Sequence, residues 1–344
     1  MKQRENFKLW EYVVFMLITF GVLILCVSIG SVSVPFKNTI TIIWNTIFRL
    51  PIPNEISSPA IIYASRLPRV ICVALVGASL SLCGGAMQGL LKNPLADGST
   101  LGVSSGASLG AIIAIAFGIT IPSLPLSGTI LMAMLFAFIS LLIILSLAYK
   151  LDYSLSTNTI ILIGVIYSMF VSSIMSLIIT FASDKVKHIT FWTMGSLAGS
   201  SYQNALLLFI TLIICSVIIL SLSKELNAFA IGEENAMHIG VNIRGVKLLI
   251  LITVSILIGV CVSIGGTIGF VGLVTPHVVR MIVGPNHKRL LPASLFGGAI
   301  FLMLADLISR ILLNPLELPI GVVTSFIGSI IFVIIFYRTR SIQR

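Results

Sequence analysis

The side chains that could do chemistry here are few, and their spacing does not suit catalysis. The 4 histidines are His188, His238, His277 and His287. They fall in separate segments, without the HExxH or similar spacing that gathers a metal. The 5 cysteines, Cys26, Cys72, Cys83, Cys215 and Cys261, sit in apolar runs and form no CxxC pair. Buried cysteine behaves as a small hydrophobe, so neither a disulfide framework nor a metal site is expected. No Ser/His/Asp arrangement is recognisable, and the phosphate-cradling GxxxxGK[ST] loop is absent. The expectation is a chain that is not an enzyme, holds no metal and binds no cofactor of its own.

A handful of charges and glycines carry more information. Arg66 and Arg69 flank Pro68 in "SRLPR", and Arg310 follows Asp306 by four residues. Three readings of these arginines stay open. They can snorkel to lipid phosphates, pair within a helix as Asp306 and Arg310 would, or offer forked donors to carboxylates of a partner. "KNPLAD" at 92–97 interrupts a glycine-rich apolar run. Asn93 before Pro94 disfavours helix, and Asp97 can accept hydrogen bonds at the start of the next one. That makes a tight turn at the inner surface. Gly102, Gly106 and Gly110 share one helix face, either for close helix packing or to line a path. "KELNAFAIGEENAMHIGVNIRGVK" at 224–247 mixes charges with Ala, Met, Ile and Phe at helical spacings. It has room for two short helices about a glycine turn, as an interfacial element or as a dock for a cytoplasmic partner.

The elements that must position these residues follow from composition. The 344 residues are 57% hydrophobic and 9% charged, with mean hydropathy +1.13. A soluble domain carries about 25% charged residues, so this is an integral membrane protein. A span needs about 20 apolar residues. Ten candidates run near 12–32, 66–91, 99–119, 128–149, 157–181, 203–223, 246–264, 266–283, 291–313 and 319–337. The third and eighth are short and interrupted by glycine. The first is expected to be retained rather than cleaved as a signal peptide. Ten spans put both termini on one side. With that side cytoplasmic, only Lys37, Arg49, Arg66, Arg69, Lys185, Lys187 and Arg310 of the 21 basic residues lie outside. The other fourteen lie inside, as the positive-inside rule requires. The net charge of +10 is thereby explained without nucleic acid. Acids are nearly absent from the spans except Asp306 near an end, which weakens an ion-coupled carrier. "GGAMQGLLKNP" and "GGTIGFVGLVTP" echo each other faintly, as two related halves would.

These stretches resemble the permease subunits of ABC importers for iron–siderophore, haem and cobalamin uptake. The resemblance is carried by "RLPRV" at 66–70, "GAMQGLLKNPLADGSTLGVSSGASLG" at 85–110, "FWTMGSL" at 191–197, "AIGEENAMHIGV" at 230–241, "GFVGLVTPHVVR" at 269–280, "LPASLFGGA" at 291–299, "LADLISR" at 304–310 and "ELPIGVVTSFIG" at 317–328. It runs in order from about residue 60 to the C-terminus; the first 60 residues match only in character. It implies an all-α, ten-helix type II ABC importer permease fold: one transmembrane domain over 1–344, termini cytoplasmic, with 224–245 as the coupling loop. The implied partners are a second permease subunit (homo- or heterodimer), two cytoplasmic ATPase subunits that use the ATP, and an extracytoplasmic substrate-binding protein. The cargo would be an iron(III)–siderophore-type chelate, with cobalamin or haem as alternatives; a secondary transporter is a more distant one. Residue by residue, Arg66, Arg69 and Arg310 match arginines that receive the binding protein. Gly232, Glu233, Ala236 and Gly240 match the ATPase-coupling pattern, and Thr157 and Asn158 the inner gate.

Overall fold

The computed structural model describes residues 7–30, 34–48, 50, 59–120, 128–153 and 155–342. All of the regular elements among them are helices. In chain order they are α1 (Leu9–Ser28), α2 (Phe36–Ile47), α3 (Leu67–Leu91, entered through a π-helical turn at Ile61–Arg66), α4 (Val103–Ala116), α5 (Gly128–Leu151), α6 (Thr157–Phe181), α7 (Val186–Thr193), α8 (Tyr202–Ser221), α9 (Ser223–Ile231), α10 (Glu233–His238), α11 (Ile243–Gly265), α12 (Val271–Val283), α13 (His287–Ile311) and α14 (Ile320–Ile342). Seven of the apolar helices are long enough to cross a membrane, and α4, α12 and the stretch Ile320–Ile335 of α14 are shorter apolar segments. Together they make the ten spans expected. The short α2, α7, α9 and α10 lie in the connections.

Polar residues set the helix starts. Ser156 caps α6, and Asp152 Oδ2 accepts from Ser156 N at 3.0 Å and Thr159 Oγ1 at 3.1 Å. Asn242 accepts from Gly245 N at 2.9 Å to start α11, and Asn286 from Lys288 N at 3.0 Å to start α13. Each satisfies a donor that the helix itself leaves free.

The bundle is built around α3, 78% of whose apolar window is buried, against 17% for α1 and 22% for α6. Small residues allow this. Gly77 of α3 faces Gly298 of α13, and Gly84 faces Gly272 of α12, so closely that a Cβ at any of these positions would strike backbone. In lipid, such approach replaces hydrophobic driving force between helices. Gly106 and Gly110 of α4 do the same against Ser140 and Met132 of α5, so the glycine stripe packs helices. The two Gly-Gly stretches are not equivalent. The first lies inside α3, and the second breaks the chain before α12.

The KNPLAD segment changes the picture of the inner surface. Lys92 closes α3 in a left-handed conformation, and Asn93 Oδ1 accepts from Leu95 N at 2.9 Å, so the turn itself is as expected. Asp97, however, does not cap α4. Residues 92–98 climb back into the bundle, and the chain passes through a 3-10 turn at Gly98–Leu101 before α4 begins at Val103. Gly98 lies against Ile258, fifteen residues into α11, or about 22 Å at 1.5 Å per residue. Asp97 is thus an acid at mid-depth, which the sequence does not announce. α4 and α12 are short spans whose N-terminal residues, Ser104 and Gly272 among them, border one cavity there.

Candidate translocation pathway and coupling surfaces

At the outer end the three arginines converge, but on the chain itself. Arg69, Arg66 and Arg310 are 7%, 6% and 4% exposed. Arg69 Nε and Nη2 lie 3.0 and 2.9 Å from Asp306 Oδ1, and its Nη1 donates to Glu317 Oε2 at 2.8 Å. Arg310 Nε is 3.0 Å from Asp306 Oδ2, an ion pair rather than an aligned hydrogen bond. The remaining donors go to the end of α1. Arg310 Nη2 donates to the Cys26 carbonyl at 2.9 Å and Nη1 to Ile29 at 3.0 Å; Arg66 Nη1 serves Val27 at 3.1 Å and Ser28 at 3.0 Å. With Ile29 N on Leu25 O, every carbonyl that ends α1 is satisfied. Cations at a helix C-terminus also complement its dipole. Of the readings left open, pairing with Asp306 is realised, and lipid snorkelling is not. Glu317, its side chain 39% exposed, is the accessible member of the cluster.

At the inner end, α9 and α10 form two short helices broken at Gly232. Its φ of +137° with ψ 146° suits glycine alone, and Gly240 at φ +89° ends α10. α9 is fastened to the start of α13, where Asn227 Nδ2 donates to Asn286 Oδ1 at 2.9 Å and His287 N to Asn227 Oδ1 at 2.8 Å. Glu233 turns inward, to Lys247 Nζ at 2.8 Å. Ala236 is fully buried. The large apolar residues this element presents outward are Ile231, Met237 and Ile239, 73%, 59% and 70% exposed, beside exposed Glu234, Asn235 and His238. Sequence reasoning did not single them out. Helical spacing allows them, but which face of so short a helix turns outward depends on its docking. Thr157 and Asn158 open α6, half-buried and exposed respectively. Beside them Arg244 lies over the rings of Tyr153 and Tyr149, 3.8 and 4.6 Å from their centroids. Hydrogen bonding by Arg244 holds the Tyr153 phenol below its ordinary pKa.

Between the two ends lies a cavity of about 440 Å³. Its walls come from α3, α4, α6, α11 and the broken backbone before α12. Its polar lining is Asp97 and the hydroxyl residues Ser104, Ser105, Ser108, Ser172, Ser176, Thr193 and Thr267; Leu80, Ile112, Met175, Ile179 and Ile258 are among its apolar ones. Among the described residues no Lys, Arg or His lines it. Several hydroxyls already donate to backbone, as Ser108 does to Ser104 O at 2.9 Å and Ser176 to Ser172 O at 3.0 Å. Such a wall makes weak, replaceable hydrogen bonds. It suits passage better than retention or reaction. Gln88 holds the cavity's inner neighbour in place, donating to Leu273 O at 3.1 Å and accepting from Arg280 Nη2 at 3.1 Å.

A ten-span bundle around a mid-depth cavity is the architecture of a membrane permease. Residues 16–338 match the model of the FecCD transport family, and the chain belongs to that family. It is 39% identical to the ABC transporter permease protein YvrB of Bacillus subtilis over 92% of this chain and 90% of that one. It is 34% identical to the molybdate import permease MolB of Haemophilus influenzae, over 92% of each. Relatives named for hemin transport in Yersinia pestis and for iron chelatin transport in Helicobacter pylori are 36% and 38% identical, over 95% and 84% of this chain and 95% and 86% of theirs. A solved inward-facing structure of a metal-chelate type ABC transporter superposes with a TM-score of 0.82 at 32% identity, covering 95% of this chain and 98% of that one.

Proposed function

We propose that this permease passes an iron(III)–siderophore-type chelate across the membrane, driven by ATP that a partner hydrolyses. The observation that supports this most is the pairing, among the described residues, of a mid-depth cavity without basic residues with exposed apolar side chains at the inner end, Ile231, Met237 and Ile239. The cavity lets a bulky, hydrogen-bonding cargo through without trapping it; the inner face offers the site where an ATPase pushes. In this reading the cavity opens onto a path shared with a second permease, two ATPase subunits sit on the α9–α10 elements, and a binding protein docks outside. Arg69 is the arginine a docking carboxylate can reach, by displacing Glu317. Arg66 and Arg310 brace the platform beneath it. Gly232 and Gly240 shape the coupling element, Glu233 and Ala236 seat it, and Thr157 and Asn158 form the gate. ATP moves this machine only in so far as it binds one conformation better than the other.

Relatives named for hemin, cobalamin and molybdate keep other cargoes in play. Uptake into liposomes holding the assembled transporter and its binding protein decides among them. Ferric chelate, haemin, cobalamin and molybdate are offered in turn, with and without internal ATP. ATP-dependent accumulation of the ferric chelate is expected. Accumulation of another cargo alone would replace the cargo assignment, and transport without an ATPase would favour a secondary transporter.

A further inference from the structure

We infer that Lys247 is a positioning residue that joins the coupling helix α10 to the inner gate; this rests on the function proposed above. Lys247 lies near the inner end of α11 and is 1% exposed. Lysine is almost never buried to that degree unless paired. Its ammonium donates to Glu233 Oε2 at 2.8 Å and to the Leu155 carbonyl at 2.9 Å. The two acceptors belong to different inner connections, one opening α10 and the other leading into α6.

The Leu155 end is held in an unusual shape. Leu155 has φ +54°, a left-handed conformation that a branched side chain adopts only when its surroundings enforce it. Its side chain is fully buried. The residues after it are stiffened by the Asp152–Ser156–Thr159 hydrogen bonds, and Arg244, one helical turn before Lys247, stacks on Tyr153. The inner end of α11 therefore grips Tyr153 and Leu155, directly ahead of Thr157 and Asn158. A displacement of α10 reaches the gate through Glu233, Lys247 and Leu155, each link a short hydrogen bond. A single ammonium with several donors can hold a carboxylate and a carbonyl at once. Methionine, one atom shorter, would fill most of the space and drop both.

The experiment uses the whole transporter in liposomes, with Asn158→Cys as reporter. Its labelling rate with a hydrophilic maleimide is read with and without a non-hydrolysable ATP analogue. The five native cysteines are buried and stay quiet. The parent should show a rate that changes with nucleotide. Lys247→Met and Glu233→Gln should each bring the ratio of the two rates towards one while the ATPase still co-purifies, and Lys247→Arg should keep the parent ratio. Should Lys247→Met fail to fold, Glu233→Gln decides, because Glu233 is partly exposed. Parent-like ratios in both Lys247→Met and Glu233→Gln would overturn the relay and leave the transport function standing. A parent that binds no ATPase and shows no nucleotide effect would sink both.

Discussion

Asp306→Asn is the sharpest probe of the outer cluster. Asp306 is 0% exposed and lies between two buried guanidiniums, Arg69 at 2.9 Å and Arg310 at 3.0 Å. Removing one partner of a buried ion pair costs about 3–5 kcal/mol, because the other charge stays behind without compensation. Asparagine keeps an oxygen for Arg69 to bond, so the low end, about 3 kcal/mol, is expected. Glu317→Gln is the control. Its side chain is 39% exposed, and such a pair is worth about 1 kcal/mol or less. Melting in detergent can be followed by tryptophan fluorescence. Chains of 150–250 residues shift about 2–4 °C per kcal/mol, and longer ones less. Asp306→Asn should therefore lower the melting temperature by about 4 °C and Glu317→Gln by about a degree. If the two variants melt alike, the arginines are not held by Asp306, and the case that the cluster is primarily a structural brace collapses. The same experiment bears on docking. Reversing Arg66 or Arg310 would unbrace α1, so a lost partner there says little. Loss of binding-protein affinity on Arg69→Gln, in protein that still melts above Asp306→Asn, would speak for contact through Arg69.

Other outcomes follow from the same geometry. Ile231→Asp, Met237→Asp and Ile239→Asp together should abolish co-purification of the ATPase and leave melting unchanged, whereas Ala236→Leu, at a fully buried site, should lower stability by about 1–3 kcal/mol through overpacking. Gly84→Val should sharply reduce folded yield because its Cβ would strike Gly272 backbone, while Gly21→Ala, with nothing within 4 Å, should be tolerated. Ser105→Cys in the cavity wall should react with hydrophilic thiol reagents in membranes at a rate that cargo slows; inert Ser105→Cys would argue that the cavity is closed off from the path.

Much of this protein is legible along the chain because membrane insertion reads local properties. The α6 boundaries at 157 and 181, the ten spans, the cytoplasmic side and the family follow from runs of hydropathy, the placement of Lys and Arg, and short motifs. The two-helix form of 224–245 follows from its glycine. Partnerships between distant residues do not. Arg69 meets Asp306 across 237 positions and Lys247 meets Leu155 across 92, and no window of sequence contains both. Burial is equally nonlocal. Ala236 and Glu233 match a motif, yet only the seating of α10 turns them inward and leaves Ile231, Met237 and Ile239 outside. Asp97 looks like a surface cap because the residues before it form a turn. Its depth is set by where α11 and α12 stand. In a bundle closed by glycine contacts, the spans themselves come from each segment's own transfer into lipid, while the partner of every buried polar group is chosen by the packing of all the others.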